Sequence, residues 1–251
     1  MKIISNILSL IGKGPKVLDP ERVLALINPP EKILSLEHIE QLIRSNKCFS
    51  LVEKSFFDKL PDLFSELAQS GVQGDILQAG VWKGGSGLYL QALNRHFQLN
   101  RSLWLADTFS GFVKDQIAHE KDQAALAIFS TMLAPAFPVP ADVKRLFQRA
   151  GLWDKQVFIL PGALEQTLPE SAIQSLCLVH IDVDFFEPTY AALALTYPKL
   201  EVGGYVIIDD YGVPAFNCKD AVDKYRSEHG ITEPVHMISD FIAYWKKERH
   251  V

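Results

Sequence analysis

From Gly74 onward the chain alternates short apolar runs with helical stretches, and that alternation leaves few folds open. The apolar runs are "DILQAGV", "SLWLADTF", "QVFIL", "SLCLVHIDVD" and "GYVIIDDYG". Between them lie a helix from about Ser86 to His96, a helical and loop-rich stretch over 113–151, a helix over Pro188–Leu200 and another over Cys218–His229. Strands that are apolar along their whole length are buried on both faces, and strands separated by helices are normally connected in parallel. The pattern predicts an α/β fold, a doubly wound parallel sheet with helices on both sides. Its ending differs: "PVHMI" and "FIAYWKK", joined by Ser239 and Asp240, read as two strands around a tight turn, so the sheet should finish in an antiparallel hairpin.

Ahead of the sheet, residues 17–70 carry helical periodicity in "PERVLALI", "SLEHIEQLIRS" and "SFFDKLPDLFSELAQSG". Ser35 reads as a helix entry, and Gly71 and Gly74 close the segment. The chain therefore divides into a helical extension, residues 1–71, and an α/β domain, residues 72–251. The first residues, "MKIISNILSLIGKGPK", read as a short amphipathic helix, with a membrane-surface role as the alternative. No apolar run approaches the roughly 20 residues that span a bilayer. A chain of 251 residues that is 48% hydrophobic and 22% charged can bury one large core. A net charge of -5, with scattered Lys and Arg, leaves no basic footprint for nucleic acid and favours a small-molecule partner. Cys48, Cys177 and Cys218 show no CxxC or metal-finger spacing, which fits free thiols in a reducing, cytoplasmic compartment. The apolar N-terminal helices offer surface for a second copy of the chain, so a homo-oligomer is expected.

Ligands of open α/β sheets sit beyond the carboxyl ends of the strands. The first such exit is "LQAGVWKGGSG", where Gly80, Gly84, Gly85 and Gly87 allow a sharp turn and close backbone approach. The spacing is not GxGxxG, and a purely structural strand-to-helix turn would use the same residues. At the second exit, "WLADTFSGF", Asp107 lies 27 residues after Gly80, near the position of a ribose-binding acid, although a turn or helix cap would also accept it. Together the two exits favour a nucleoside-bearing cofactor.

The last two parallel strands each deliver acids. Side chains alternate along a strand, so His180, Asp182 and Asp184 share one side. Asp209 and Asp210 end the following strand, 27 residues after Asp182, and sequential parallel strands are commonly neighbours. Carboxylates gathered in one crevice repel unless a cation joins them, and an all-oxygen set suits Mg²⁺. Zinc fits less well without a His pair at ligand spacing. The alternative is that Asp184 or Asp210 caps a helix, with Pro188 in a first turn.

At this point "GDILQAGVWKGGSG", "LWLADTFSGF", "LPGALEQTLP", "HIDVDFFEPTYAAL" and "YPKLEVGGYVIIDDYG", followed by "AVDKYRSEHGI", resemble the macrocin O-methyltransferase (TylF/MycF) family over about residues 72–247. The resemblance implies a Rossmann-like, seven-stranded class I methyltransferase sheet with an antiparallel C-terminal hairpin and a helical N-terminal extension on the substrate side. It also implies transfer of methyl from S-adenosyl-L-methionine, with Mg²⁺, to a hydroxylated small-molecule acceptor such as a deoxysugar. On that basis Gln78, Gly80, Val81, Trp82, Gly84, Gly85 and Ser86 form the cofactor's amino-acid-binding turn, Asp107, Thr108 and Phe109 its ribose side with Asp182 alongside, and Asp182, Asp209 and Asp210 the metal ligands. Three positions depart from the family pattern: Gln78 replaces an acid, "DVD" replaces "DGD" through Val183, and "PGAL" replaces "PGWF".

Related catechol methyltransferases carry a lysine three positions after the first metal Asp, where this chain has Phe185. The base is therefore sought elsewhere: in His119 and Glu120 of the 113–151 insertion, since loops beyond strand ends carry substrate contacts, and secondarily in His180, which otherwise reads as a core histidine. Trp82, Phe109, Phe112, Phe185 and Phe186 follow strand ends and would flank adenine or acceptor, or pack the core. Three competing readings are a nicotinamide oxidoreductase, opposed by the missing GxGxxG and the terminal hairpin, a non-catalytic nucleoside- or metal-binding module, and a methyltransferase for a catechol-like phenol.

Overall fold

The computed structural model describes residues 35–39, 43, 49–113, 117–133 and 137–250. The amphipathic start, "PERVLALI" and Cys48 lie outside the described residues. Ser35 does cap a helical turn, its hydroxyl accepting the His38 amide at 3.3 Å.

Helix α1, Lys54–Ser70, turns Phe56, Phe57, Leu60, Leu63, Phe64 and Leu67 inward, the three-to-four residue spacing of one helical face. Each buried side chain of this size contributes about 1.5–3 kcal/mol. Pro61 sits inside the helix and has no N–H to give the Phe57 carbonyl four residues back. The buried Tyr89 hydroxyl donates to that carbonyl instead, at 3.2 Å, so the helix runs through its proline without a stranded acceptor. Gly71, at φ 66, ends it in the left-handed conformation that glycine adopts most easily.

The sheet follows: β1 Asp75–Ala79, α2 Gly85–His96, β2 Leu103–Asp107, α3 Glu120–Leu133, α4 Pro140–Arg149, β3 Val157–Pro161, α5 Leu164–Glu170, β4 Leu176–Ile181, α6 Phe186–Thr196, β5 Leu200–Ile208, α7 Cys218–Glu228, β6 His236–Met237 and β7 Ala243–Lys246. Seven strands lie in the order β3-β2-β1-β4-β5-β7-β6, parallel from β3 to β5, with β7 antiparallel to both β5 and β6. The expected hairpin is present, and Ser239 Oγ accepts the Phe241 and Ile242 amides at its turn. The 113–151 stretch supplies α3 and α4.

One expected boundary shifts. The helix before β5 stops at Thr196, Tyr197–Lys199 form a 3₁₀ turn, and Leu200 already belongs to the strand. Pro198 lacks the N–H needed to continue the α-helical ladder.

Alternation along the strands divides the interior. Ile76, Leu105, Leu178 and Ile207 face the layer of α1, α2 and α4, while Leu77, Ala106, Val179 and Ile208 face α6 and α7. On the first face one transverse row reads Leu105, Gln78, His180, Ile207 across β2, β1, β4 and β5. Gln78 and His180 are its polar members, and both are fully buried. No described helix is long and apolar enough to cross a membrane.

Candidate active site

Strand order reverses between β1 and β4, which opens a crevice beyond their carboxyl ends. A cavity of ≈310 Å³ lies there. Four non-glycine residues around it hold positive φ, one at each of four strand exits: Trp82 at 46°, Phe109 at 53°, Asp184 at 62° and Asp210 at 57°. Such conformations carry strain of order 1–3 kcal/mol each and gather at binding sites.

At the β1 exit, Gly80 has φ 84°, and a Cβ there would stand 1.8 Å from the Asp182 carbonyl oxygen. Only glycine lets the ends of β1 and β4 come this close. Asp107, ending β2, clamps the turn: Oδ2 accepts the Val81 and Trp82 amides at 2.6 and 2.8 Å, and Oδ1 accepts Phe109 N at 2.8 Å. The turn role considered for Asp107 is thus real, and Oδ1 still has an open acceptor position toward the cavity it lines. Gln78 Nε2 donates to the Gly80 carbonyl at 2.8 Å and to Ser86 Oγ at 2.7 Å, which ties the turn to the first residues of α2. Gly80, Val81, Trp82, Ser86, Asp107, Thr108 and Phe109 all line the cavity, whereas Gln78 supports from below and Gly84 and Gly85 shape the turn. The Trp82 indole N–H is buried without a hydrogen-bond partner, a donor free for an anionic ligand group.

Asp182, Asp184, Asp209 and Asp210 converge on the opposite wall. Burial, then mutual repulsion, raises the carboxyl pKa of Asp182 and Asp210 well above the usual range. Burial likewise pushes Asp209 up to about 7 and raises Asp184. The carboxyls meet in two side-chain pairs, Asp182 with Asp209 and Asp184 with Asp210. Burial and mutual repulsion thus favour the protonated, neutral form of these acids wherever no counter-charge is at hand. Asp184 does not continue the β4 alternation as the sequence suggests, because β4 ends at Ile181 and a left-handed residue turns the chain.

Beneath the acids lies His180, fully buried, its ring 4.5 Å from that of Phe56 on α1. Burial drives its pKa down to about 3, so the imidazole is neutral, and neither ring nitrogen has a hydrogen-bond partner. His180, Asp182 and Asp209 each offer a donor atom within 4.8 Å of the others.

The two loop candidates for the base, His119 and Glu120, stand away from the cavity lining. His119 Nδ1 pairs with Glu187 Oε1 at 2.8 Å, and its ring lies 4.1 Å from that of Phe186. Glu120 opens α3 and is exposed. Their insertion matters through Asp122, which is fully buried and accepts Phe186 N at 2.9 Å and Asn217 N at 2.8 Å. It thereby ties α3 to the segments that follow both acid-bearing strands. Among the aromatics, Trp82, Phe109 and Phe112 line the cavity, while Phe185 packs against Phe112 and Phe216 in the core.

Sequence reasoning passed over two sources of lining residues. Phe49 to Glu53 form part of the wall, anchored by the Gly85 amide donating to the Phe49 carbonyl at 2.8 Å. No local pattern marks this segment. Gly162 to Glu165, after β3, come from "PGAL" and the residue that follows it, a motif visible in sequence but given no task.

Residues 43–247 match the family described as Macrocin-O-methyltransferase (TylF). Over 181 residues the chain is 35% identical to mycinamicin III 3''-O-methyltransferase of Micromonospora griseorubida, covering 71% of this chain and 70% of that one. Over 193 residues it is 35% identical to 8-demethyl-8-(2,3-dimethoxy-alpha-L-rhamnosyl)-tetracenomycin-C 4'-O-methyltransferase of Streptomyces olivaceus, covering 75% and 72%. The solved structure of the O-methyltransferase NovP superposes with a TM-score of 0.75 at 28% identity, covering 92% of this chain and 100% of that one.

Proposed function

As a member of the macrocin O-methyltransferase family this chain is a methyltransferase, and we propose that it methylates a hydroxyl of a sugar or other natural-product intermediate, using S-adenosylmethionine and a divalent cation. The observation that carries this reading is the placement, in one cavity, of the Asp107-clamped turn opposite four convergent acids. The name of one relative specifies a rhamnosyl group, which supports a glycosylated acceptor.

S-adenosylmethionine would supply the electrophilic methyl, and a cation held by Asp182, Asp209 and Asp210 would supply Lewis acidity that makes an acceptor hydroxyl easier to deprotonate. The donor set fits: the acids are oxygen ligands, and the burial and mutual repulsion that raise their pKa values in the free protein mark an uncompensated demand for positive charge. The chain's own groups do the positioning. Asp107 Oδ1 accepts from a ribose hydroxyl, while the Trp82 N–H and the Ser86 hydroxyl face the amino-acid end. Holding the reactants in line accounts for much of the acceleration in such a displacement.

Asp184 is the proton acceptor in this reading. It lines the cavity beside the cation-binding acids, whereas His119 and Glu120 do not line it and His180 lies under its floor. Phe112, Val113, Phe137, Val213 and Phe241 make the outer wall apolar, which suits a sugar carried on an apolar scaffold better than a free sugar.

Calorimetric titration with S-adenosylmethionine, then with Mg²⁺, tests the core of the proposal on the wild type and on Asp182→Asn and Asp209→Asn. Cofactor binding by all three, with cation binding lost in the variants, supports it. A folded wild type that binds no S-adenosylmethionine overturns it.

A further inference from the structure

Gln78 is the polar exception among the buried residues of β1, and the bonds it donates fix more than the shape of the turn above it. It is fully buried, whereas its buried strand neighbours Ile76, Leu77 and Ala79 are apolar. Its Oε1 has no hydrogen-bond partner, a cost that the bonds made by its nitrogen have to offset. Gly87 on α2 makes room for the amide, since a Cβ there would stand 2.7 Å from Oε1.

The bonds of that nitrogen have only one possible direction. The Gly80 carbonyl is an acceptor, so the nitrogen of the amide and not its oxygen faces it, at 2.8 Å. The same Nε2 donates its second proton to Ser86 Oγ at 2.7 Å. Ser86 Oγ therefore accepts from below, and its own proton goes elsewhere. Among the described residues no acceptor takes that proton. Ser86 lines the cavity, which is the direction left to it.

The surroundings suit an anionic ligand group. Ser86 lies in the first turn of α2, where aligned peptide dipoles add positive character. The Trp82 indole N–H, in the same cavity lining, is a second buried donor without a protein partner.

We infer that Gln78 is a positioning residue for the cofactor, its amide committing the Ser86 hydroxyl to donate to the carboxylate of S-adenosylmethionine. The inference rests on the proposed use of that cofactor and adds the residue that sets the polarity of this contact. An ionised acid at position 78, as in the family pattern, has no proton to give and would accept the one from Ser86. The departure at Gln78 thus changes how the amino-acid end of the cofactor is held.

The test is calorimetric titration of the full chain with S-adenosylmethionine and with decarboxylated S-adenosylmethionine, which lacks only the carboxylate. The wild type should prefer the first by about tenfold or more, the worth of a hydrogen bond to a charged group. Gln78→Glu and Ser86→Ala should each bring that preference close to one. Gln78→Met, apolar and of similar length, leaves the Ser86 proton free to reach the cavity and should keep most of the preference. A merely structural role would make Gln78→Met as damaging as Gln78→Glu. Equal binding of both ligands by the wild type overturns the inference and leaves the cofactor reading standing. So does a wild-type preference in Gln78→Glu, or one in Gln78→Met as low as that of Gln78→Glu. A folded wild type that binds neither ligand overturns both.

Discussion

Raising the pH of the cation-free protein from about 4 to about 7.5 should destabilise it. Burial, the largest cause, lifts the Asp209 carboxyl from 3.8 to about 7. An unfolded chain releases that proton near pH 4. Between these values the folded state holds a proton that the unfolded state has lost, so the free energy of unfolding falls as pH rises. The stabilisation is fully present below the unfolded value and is lost as pH passes through about 7. A shift of about three units at about 1.4 kcal/mol each gives about 4 kcal/mol for Asp209 alone, a large part of the 5–15 kcal/mol typical of a folded domain. Asp182, Asp184 and Asp210 are displaced in the same direction and add to the slope. Urea denaturation in chelator at several values between about pH 4.5 and 8 measures it. The wild-type midpoint should fall with pH, Asp209→Asn should flatten the fall, and a saturating divalent cation should restore stability at the upper end, because it binds only the folded, ionised site. A midpoint in chelator that holds level or rises across this window, or an Asp209→Asn slope equal to wild type, refutes the reasoning.

Gly80→Ala places a methyl 1.8 Å from the Asp182 carbonyl at φ 84°, so a loss of about 2–4 kcal/mol is expected in thermal or urea unfolding, with cofactor binding abolished in calorimetry. Asp184→Asn should lower turnover by about 10²–10⁴-fold while S-adenosylmethionine still binds, and His119→Ala and Glu120→Gln should leave turnover near wild type; the opposite pattern in a methyl-transfer assay would return the base to the insertion. Asp122→Ala removes an acceptor from two buried amides and should destabilise by about 2–3 kcal/mol, with weakened cation affinity as the sign that the acid-bearing segments have moved.

The sheet was legible because its signal is redundant. Five apolar runs, spaced by helices and closed by a hairpin, permit one architecture, and a misplaced boundary such as the helix end at Thr196 does not disturb it. The acids were legible for a different reason: carboxylates at the ends of apolar strands need an external explanation wherever the strands lie. What stayed hidden depends on backbone conformation at single residues. Strand alternation placed Asp184 beside Asp182 as a repeat of the same face, whereas a left-handed turn at φ 62° separates their roles and pairs Asp184 with Asp210.

His180 and Asp122 show the same limit from opposite sides. A histidine inside an apolar strand reads as core, and only the register reveals that it stands opposite Gln78, whose Oε1 is likewise buried without a hydrogen-bond partner. An aspartate in the first turn of a helix reads as a favourable partner for the helix dipole, which Asp122 is by position. Its two bonds go instead to Phe186 N and Asn217 N, on segments far away in sequence, so the insertion is tied to the acid-bearing strands through Asp122, while His119 and Glu120 stand outside the cavity lining. It fixes the frame in which Asp184, Asp209 and Asp210 are held. The insertion thus acts on the chemistry through position, and its sequence carries that role only once β4 and β5 are known to be neighbours.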